Sequence, residues 1–212
     1  MQYFNSLPLV SQNTYSAYNN NQLVTNLLTR AYLLPSLLNN VMLFYDYEVR
    51  DGDTIESVAY NYYNDVYKYW IICYSNNIID PLFDWPKTSS QFELYLEDKY
   101  SQEANGVPVI AYTMSTIHHY EKTISVINDF DFANTVTTIW IDEDTYDSLM
   151  PSIIERTFPS GTNITQKITK QAVSIYTYES IINDNKRKIK LLKDEYVPDI
   201  ENRFKKLMQQ YD

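Results

Sequence analysis

The most informative part of the sequence is the stretch Phe44–Pro86, which reads FYDYEVRDGDTIESVAYNYYNDVYKYWIICYSNNIIDPLFDWP. At its start, Tyr45, Tyr47 and Val49 alternate with charged residues. This period of two predicts a strand that buries one face and exposes the other. The stretch is therefore expected to begin with a half-buried strand.

A capped helix is predicted directly after this strand. Asp51–Gly52 is typical of a tight turn, because glycine adopts backbone conformations that other residues avoid. Asp53 or Thr54 then provides an N-cap, and Glu56 lies in the first turn, where the helix dipole favours an anion. The buried stripe of this helix comprises Ile55, Val58, Ala59 and Tyr62.

A second apolar segment follows a break at Asn64–Asp65. Its candidates for inward-facing residues are Tyr69, Trp70, Ile72 and Cys73. Asn76–Asn77 and Asp80–Pro81 end the segment, since such dipeptides favour turns, and the chain leaves through Trp85–Pro86. The whole stretch thus predicts a small βαα(β) unit.

The segment before this unit is polar and aperiodic over its first twenty-two residues. It is interpreted as an extended arm that gains order only against something else. A helix is predicted next from the spacing of Leu23, Leu27, Leu28 and Leu34, with an interruption near Pro35.

The segment after the unit changes from helical to β character. Ser89 or Ser90 is expected to cap a helix that runs through Tyr100. Residues 107–114, 120–128 and 134–142 are rich in Val, Ile, Thr and Tyr, so they predict three strands of a small antiparallel sheet. A loop-like passage with Pro151, Pro159 and Gly161 is expected to follow.

The last element predicted is a long amphipathic helix from about Ile175 to Tyr211, with a kink or break at Pro198. The residues of its apolar stripe that are candidates for contacts with a partner are Ile189, Leu192, Tyr196, Phe204, Leu207 and Tyr211. The same stripe could instead cover the protein's own sheet, and the pattern does not separate the two alternatives. The basic residues between Lys186 and Lys193 are expected to face solvent or an acidic partner.

Composition excludes several classes of protein. With 27 acidic and 17 basic residues, the net charge of −10 disfavours a nucleic-acid binder that neutralises phosphates. No apolar run approaches the ~20 residues that cross a bilayer, and the start MQYFNSLPLV lacks the features of a signal peptide. The 21 tyrosines, against 3 glycines, are the main anomaly of the composition.

No catalytic, cofactor or metal site is predicted. His118 and His119 are adjacent, so they point to opposite faces of a strand or lie ~100° apart on a helix; both arrangements are poor for chelation, and the pair is read as ordinary strand-end residues. Asp142–Asp144 lacks the glycine of a calcium loop and is read as a solvated turn. Cys73, the one cysteine, lies among apolar residues and is read as a buried structural thiol.

The pattern Y-x-V-x-x-G-D-T-I-x-x-V-A-x-x-Y resembles the opening of a LysM domain. It is carried by Tyr47, Val49, Gly52, Asp53, Thr54, Ile55, Val58, Ala59 and Tyr62. Asn76 falls where that family usually has its mid-domain Asn. The resemblance implies a βααβ core, but DPLFDWP replaces the glycine turn and apolar strand that usually close such a domain.

A second resemblance joins the first. The segment TYESIINDNKRKIKLLKDEYVPDIENRFKKLM, residues 177–208, is similar to the C-terminal helix of a baseplate wedge subunit of contractile-tailed (T-even-like) phages. That subunit also carries a LysM-like domain near its N-terminus, and it shares the Tyr-Trp pair and the Asp-Pro…Trp motif found here. These motifs are carried by Tyr69–Trp70, Asp80–Pro81 and Trp85.

The resemblance implies a non-enzymatic structural subunit of the virion tail baseplate, assembled in the host cytoplasm. Its partners would be other wedge and hub proteins in a large hetero-oligomer, with no cofactor, nucleic acid, membrane or small-molecule substrate. The competing class is a peptidoglycan-binding LysM protein, in which aromatic side chains stack on N-acetyl sugars. In the first class, the tyrosines serve core and interface packing instead.

The expected fold class is α+β. Its parts are an N-terminal arm and helix (1–44), a LysM-like module (45–87), a linker helix with a β-rich region (88–178) and a C-terminal helix (179–212).

Overall fold

A computed structural model of the protein describes residues 3–13, 21–29, 31–33, 35–129, 133–159 and 162–209. The chain divides into two compact units. The terminal unit comprises residues 1–88 and 184–212, and the central unit comprises residues 89–183.

The elements follow in chain order. They are β1 (Leu9–Asn13), β2 (Asn21–Thr25), α1 (Pro35–Leu38), β3 (Phe44–Glu48), α2 (Ile55–Tyr63), α3 (Tyr69–Ser75), α4 (Pro81–Asp84), α5 (Ser89–Tyr100), α6 (Val109–Ser115), β4 (Ile117–Asn128), β5 (Asn134–Ile141), α7 (Glu143–Ser148), β6 (Ser152–Thr157), β7 (Asn163–Ser174), α8 (Ile175–Asn185), β8 (Lys188–Leu192) and α9 (Val197–Met208). The predicted α+β class with a C-terminal helix is confirmed.

The terminal unit contains the predicted βαα arrangement, and its closing strand comes from near the C-terminus. Strand β3 pairs antiparallel with β8, so that Tyr47 lies opposite Ile189. Buried residues from both parts of the chain form one core: Phe44, Val49, Ile55, Val58, Ala59, Tyr63, Trp70, Ile71 and Ile72 from the first, and Ile189, Leu191, Leu192, Val197, Phe204 and Met208 from the second. The core therefore depends on residues more than a hundred positions apart.

The predicted continuous helix from Ile175 to Tyr211 is wrong. Helix α8 ends at Asn185, β8 follows, and α9 begins at Val197. At the start of Lys188–Leu192, exposed and buried residues alternate, as in a strand. The pairing of this segment with β3 outweighs the helical spacing of its apolar residues. Pro198 lies in the first turn of α9, where its missing N–H costs no helical hydrogen bond.

The helix predicted through Leu23, Leu27 and Leu28 is also wrong. Strand β2 pairs with β1 in a two-stranded antiparallel sheet, and these three leucines are exposed. Their helical spacing therefore does not reflect a buried stripe. Leu34 lies outside the described residues.

The central unit contains a four-stranded antiparallel sheet in the order β5-β4-β7-β6. The predicted strands at 120–128 and 134–142 are confirmed, and so is the helix from Ser89 to Tyr100. Residues 107–114 were expected to form a strand, but α6 begins there because Val109 and Ile110 pack on the Phe92 and Leu96 face of α5. The passage expected to be loop-like forms β6 and β7, and Pro151 and Pro159 lie just outside β6.

Among the described residues, no helix is long and apolar enough to cross a membrane.

Candidate functional site

The turn between β3 and α2 is fixed by side chains that the LysM-like pattern contains. Gly52 has a φ of 90°, a conformation that other residues avoid. Thr54 caps α2 by accepting a hydrogen bond from the Ser57 N–H at 3.1 Å. Asp53 has a different role, because its Oδ2 accepts from the Tyr47 hydroxyl at 2.9 Å and from the Arg50 N–H at 3.0 Å.

Burial accounts for most of the other residues of the pattern. Val49, Ile55, Val58 and Ala59 all lie in the core of the terminal unit, as does Trp70 of α3. The predicted fourth member of the α2 stripe is displaced by one position, since Tyr63 is buried and Tyr62 is half-buried. The Tyr63 hydroxyl donates to the Leu192 carbonyl at 2.9 Å, which ties α2 to β8.

Asn76 joins α3 to the outer edge of β8. Its Nδ2 donates to the Ile72 and Lys190 carbonyls, both at 2.9 Å, and its Oδ1 accepts from the Lys190 N–H at 2.7 Å. The amide thus pairs with both backbone groups of Lys190, as a neighbouring strand would do. This gives a physical reason for an amide side chain at this position.

Trp85 and Arg187 occupy backbone acceptors of the β3–α2 turn. The Trp85 Nε1 donates to the Asp53 carbonyl at 2.8 Å. Arg187 donates to the Val49 carbonyl at 3.3 Å and to the Lys87 carbonyl at 3.1 Å, and it forms an ion pair with Asp51 at 3.5 Å. Arg187 was expected to face solvent or a partner, but it binds this turn.

The six candidates for partner contact differ in their burial. Ile189, Leu192 and Phe204 are buried in the core of the terminal unit, so they are not available to a partner. The expectation fails for them because the stripe covers the protein's own sheet and helices. Tyr196 and Leu207 are 37% and 38% exposed, and Tyr211 lies outside the described residues.

Aromatic rings pack closely in this core. The ring of Tyr3, within the predicted arm, lies 5.7 Å from Trp70 and 5.2 Å from Phe204, between ring centroids. The Tyr3 and Tyr74 hydroxyls share a hydrogen bond of 2.7 Å. Tyrosines from distant parts of the chain therefore act here as amphipathic packing groups.

His118 and His119 do not point to opposite faces, because the β4–β7 register shifts between Ile117 and His119. The irregularity brings the two Nδ1 atoms to 2.8 Å, and the His119 Nε2 lies 2.9 Å from a Glu121 carboxylate oxygen. Burial and the neighbouring imidazole lower the pKa of His118. Within the described ranges, no group of three His, Cys, Asp or Glu residues could hold a metal ion.

Asp142–Asp144 is exposed as expected, but it begins a helix and does not form the expected turn. Asp142 caps α7 by accepting from the Thr145 N–H at 2.7 Å. Burial raises the pKa of Cys73 to about 11, so its thiol is protonated and unreactive near neutral pH.

The ion pair between Lys99 and the buried Glu179 in the central unit is not predicted from the sequence. Glu179 is buried and accepts from the Lys99 ammonium at 2.6 Å and the Tyr100 hydroxyl at 2.7 Å. Burial alone would raise the pKa of Glu179, but these hydrogen bonds outweigh it and lower that pKa. The Tyr95 hydroxyl also donates to Glu179 at 3.2 Å. Only the helical spacing of Tyr95, Lys99 and Tyr100 could have suggested this shared partner.

Neither the models of known protein families nor the sequences of curated proteins give a significant match to this chain.

Proposed function

We propose that this protein is a structural subunit of a contractile phage tail baseplate wedge, which joins neighbouring wedge subunits around the hub during tail assembly. The proposal starts from the two sequence resemblances, in the LysM-like pattern and in the segment 177–208. In this role the protein acts by binding other proteins and performs no chemical reaction.

The observation that supports it most is the internal use of the β3–α2 turn. A sugar site on this turn needs free backbone groups and open aromatic faces, but Trp85 binds the Asp53 carbonyl and Arg187 binds the Val49 carbonyl. Trp70 is buried in the core. The backbone acceptors of this turn and the Trp70 ring therefore make contacts within the terminal unit, which favours a structural role.

Purified virions provide the test. We expect mass spectrometry of intact particles to find this protein in a fixed ratio to the tail proteins, and in isolated tails as well as in whole virions. Co-expression with the other wedge proteins should give a stable hetero-oligomer on size-exclusion chromatography. A protein that is missing from the particles would refute the proposal.

The alternative function, binding of peptidoglycan N-acetyl sugars, is favoured by a different feature. A groove of about 600 Å³ in the terminal unit is lined by residues that include Tyr32, Asn39, Asn77 and Lys188. Aromatic rings and amides suit a saccharide. Saturable binding to purified cell wall that chitin oligomers compete away would favour this alternative.

A further inference from the structure

Three large apolar side chains lie exposed within five residues at α4. The exposed fractions of Ile79, Leu82 and Phe83 are 73%, 76% and 64%. Leu82 and Phe83 are neighbours in the short helix α4, and Ile79 directly precedes Asp80, the N-cap of that helix, so the three exposed side chains belong to one short segment. We call these three side chains the α4 tip.

The backbone that carries the α4 tip is held by a dense set of local hydrogen bonds. The Asp80 Oδ1 accepts from the Leu82 N–H at 3.0 Å, which caps α4. The Asp84 Oδ2 accepts from the Ile79 and Asp80 N–H groups, both at 3.0 Å, and these bonds lower the pKa of Asp84. The turn is therefore closed on itself without any contribution from its apolar side chains.

Two further contacts fix the turn to the rest of the terminal unit. The Lys186 ammonium, next to β8, donates to the Phe83 carbonyl at 2.6 Å. Trp85 binds the Asp53 carbonyl at the β3–α2 turn, one residue after α4. The protein thus uses polar contacts to hold three apolar side chains in water, which is unfavourable for an isolated subunit.

We propose that the α4 tip is an anchor that inserts into an apolar pocket of a neighbouring protein, and that the rim of this pocket is basic. A rigid apolar group loses little conformational freedom on binding, so it is well suited to act as a binding hot spot. The basic rim follows from local charge, because the carboxylates of Asp80 and Asp84 flank the tip and outnumber the Lys186 ammonium beside Phe83. The same carboxylates disfavour an anionic lipid surface.

This inference rests on the proposed function, because the neighbour is taken to be another wedge protein. The test uses the wedge assembly made by co-expressing the other wedge proteins without this subunit, and it measures the affinity of the purified full-length protein. The variant is L82S/F83S, and the matched control is V41S/M42S, whose side chains are 80% and 72% exposed in the same unit. Both double variants should keep the urea midpoint of the wild type, since the changed side chains are exposed.

We expect L82S/F83S to bind at least about 100-fold more weakly, because each lost apolar anchor costs about tenfold or more in affinity. The control should stay within about threefold of the wild type, as exposed substitutions outside a contact are nearly neutral. Asp80→Asn keeps the oxygen that caps α4 and removes the charge, so a loss of about threefold to tenfold is expected if the rim is basic.

The outcomes separate the two proposals. Wild-type protein that binds the wedge while L82S/F83S binds equally well would overturn the α4 tip and leave the proposed function standing. Wild-type protein that does not bind the wedge would overturn both. Flotation with neutral phosphatidylcholine vesicles that requires Leu82 and Phe83 would show a lipid-binding surface and would also overturn the anchor.

Discussion

The amide of Asn76 is predicted to be a main link between α3 and the closing strand β8. In Asn76→Ala, three hydrogen bonds are lost, of which two join the side chain to the backbone of Lys190 and one joins it to Ile72. Each is worth about 1 kcal/mol in a folded protein. Lys190 lies at an exposed edge, so water replaces part of the loss, and we expect destabilisation by about 2 kcal/mol.

Asn76→Asp makes a sharper comparison. The carboxylate keeps an acceptor for the Lys190 N–H, but it faces the carbonyls of Ile72 and Lys190 without a proton to donate. This variant should therefore be at least as unstable as Asn76→Ala, although it is closer in shape to the wild type. Asn202→Ala, on the exposed side of α9, is the control and should be neutral or slightly stabilising.

Urea unfolding followed by tryptophan fluorescence measures these differences, because Trp70 lies in the core of the same unit. Amide hydrogen exchange adds a local readout, since the Lys190 N–H is protected by Asn76. A loss below about 0.5 kcal/mol in Asn76→Ala would contradict the argument, given the bond energies above. Unchanged exchange at Lys190 would contradict it too.

Two further predictions concern the cores of the units. Leu192→Glu should unfold the terminal unit, as it removes a buried side chain at a cost of about 2–5 kcal/mol and buries a charge, whereas Leu207→Glu at a half-exposed position should stay folded by circular dichroism. A folded Leu192→Glu protein would refute the assigned packing. The pKa of Glu179 is lower in the folded protein than its unfolded value of 4.5, so the ionised carboxylate stabilises the fold at pH values above 4.5. This contribution is lost as the pH falls below 4.5 and through the folded pKa. Glu179→Gln should therefore lower stability by about 2 kcal/mol at pH 7 and reduce the acid sensitivity of the central unit, as measured by thermal unfolding between pH 3 and 7.

The predictable parts of the fold are those that local chemistry specifies. The alternation at Tyr45–Val49, the glycine turn at Gly52 and the cap at Thr54 each depend on residues within one turn of the chain, and β3 and α2 form as expected. The same holds for α5. Of the two residues proposed as the cap of α2, Thr54 caps the helix and Asp53 holds the turn.

The parts that were predicted wrongly depend on distant partners. Ile189 and Leu192 are three residues apart, so their spacing fits a helix as well as the strand they form. Nothing near them in the sequence indicates that β3 is their partner. The contacts of Arg187 are unpredictable for the same reason, because its acceptors, the carbonyls of Val49 and Lys87, are about a hundred or more positions away.

The closure of the terminal unit by β8 explains why the LysM-like pattern ends at DPLFDWP. At that point the chain enters the central unit and returns only at Asp184, where it supplies the closing strand. The entropy cost of closing a loop rises only logarithmically with its length, so a compact unit can be inserted between the second helix and the last strand of a small βααβ core. Residues 45–87 by themselves lack Leu191, Val197 and the other core residues that follow the insertion. The core is therefore formed by both parts of the chain, and the polar contacts of Asn76 with Lys190 and of Arg187 with Val49 lie where these parts meet.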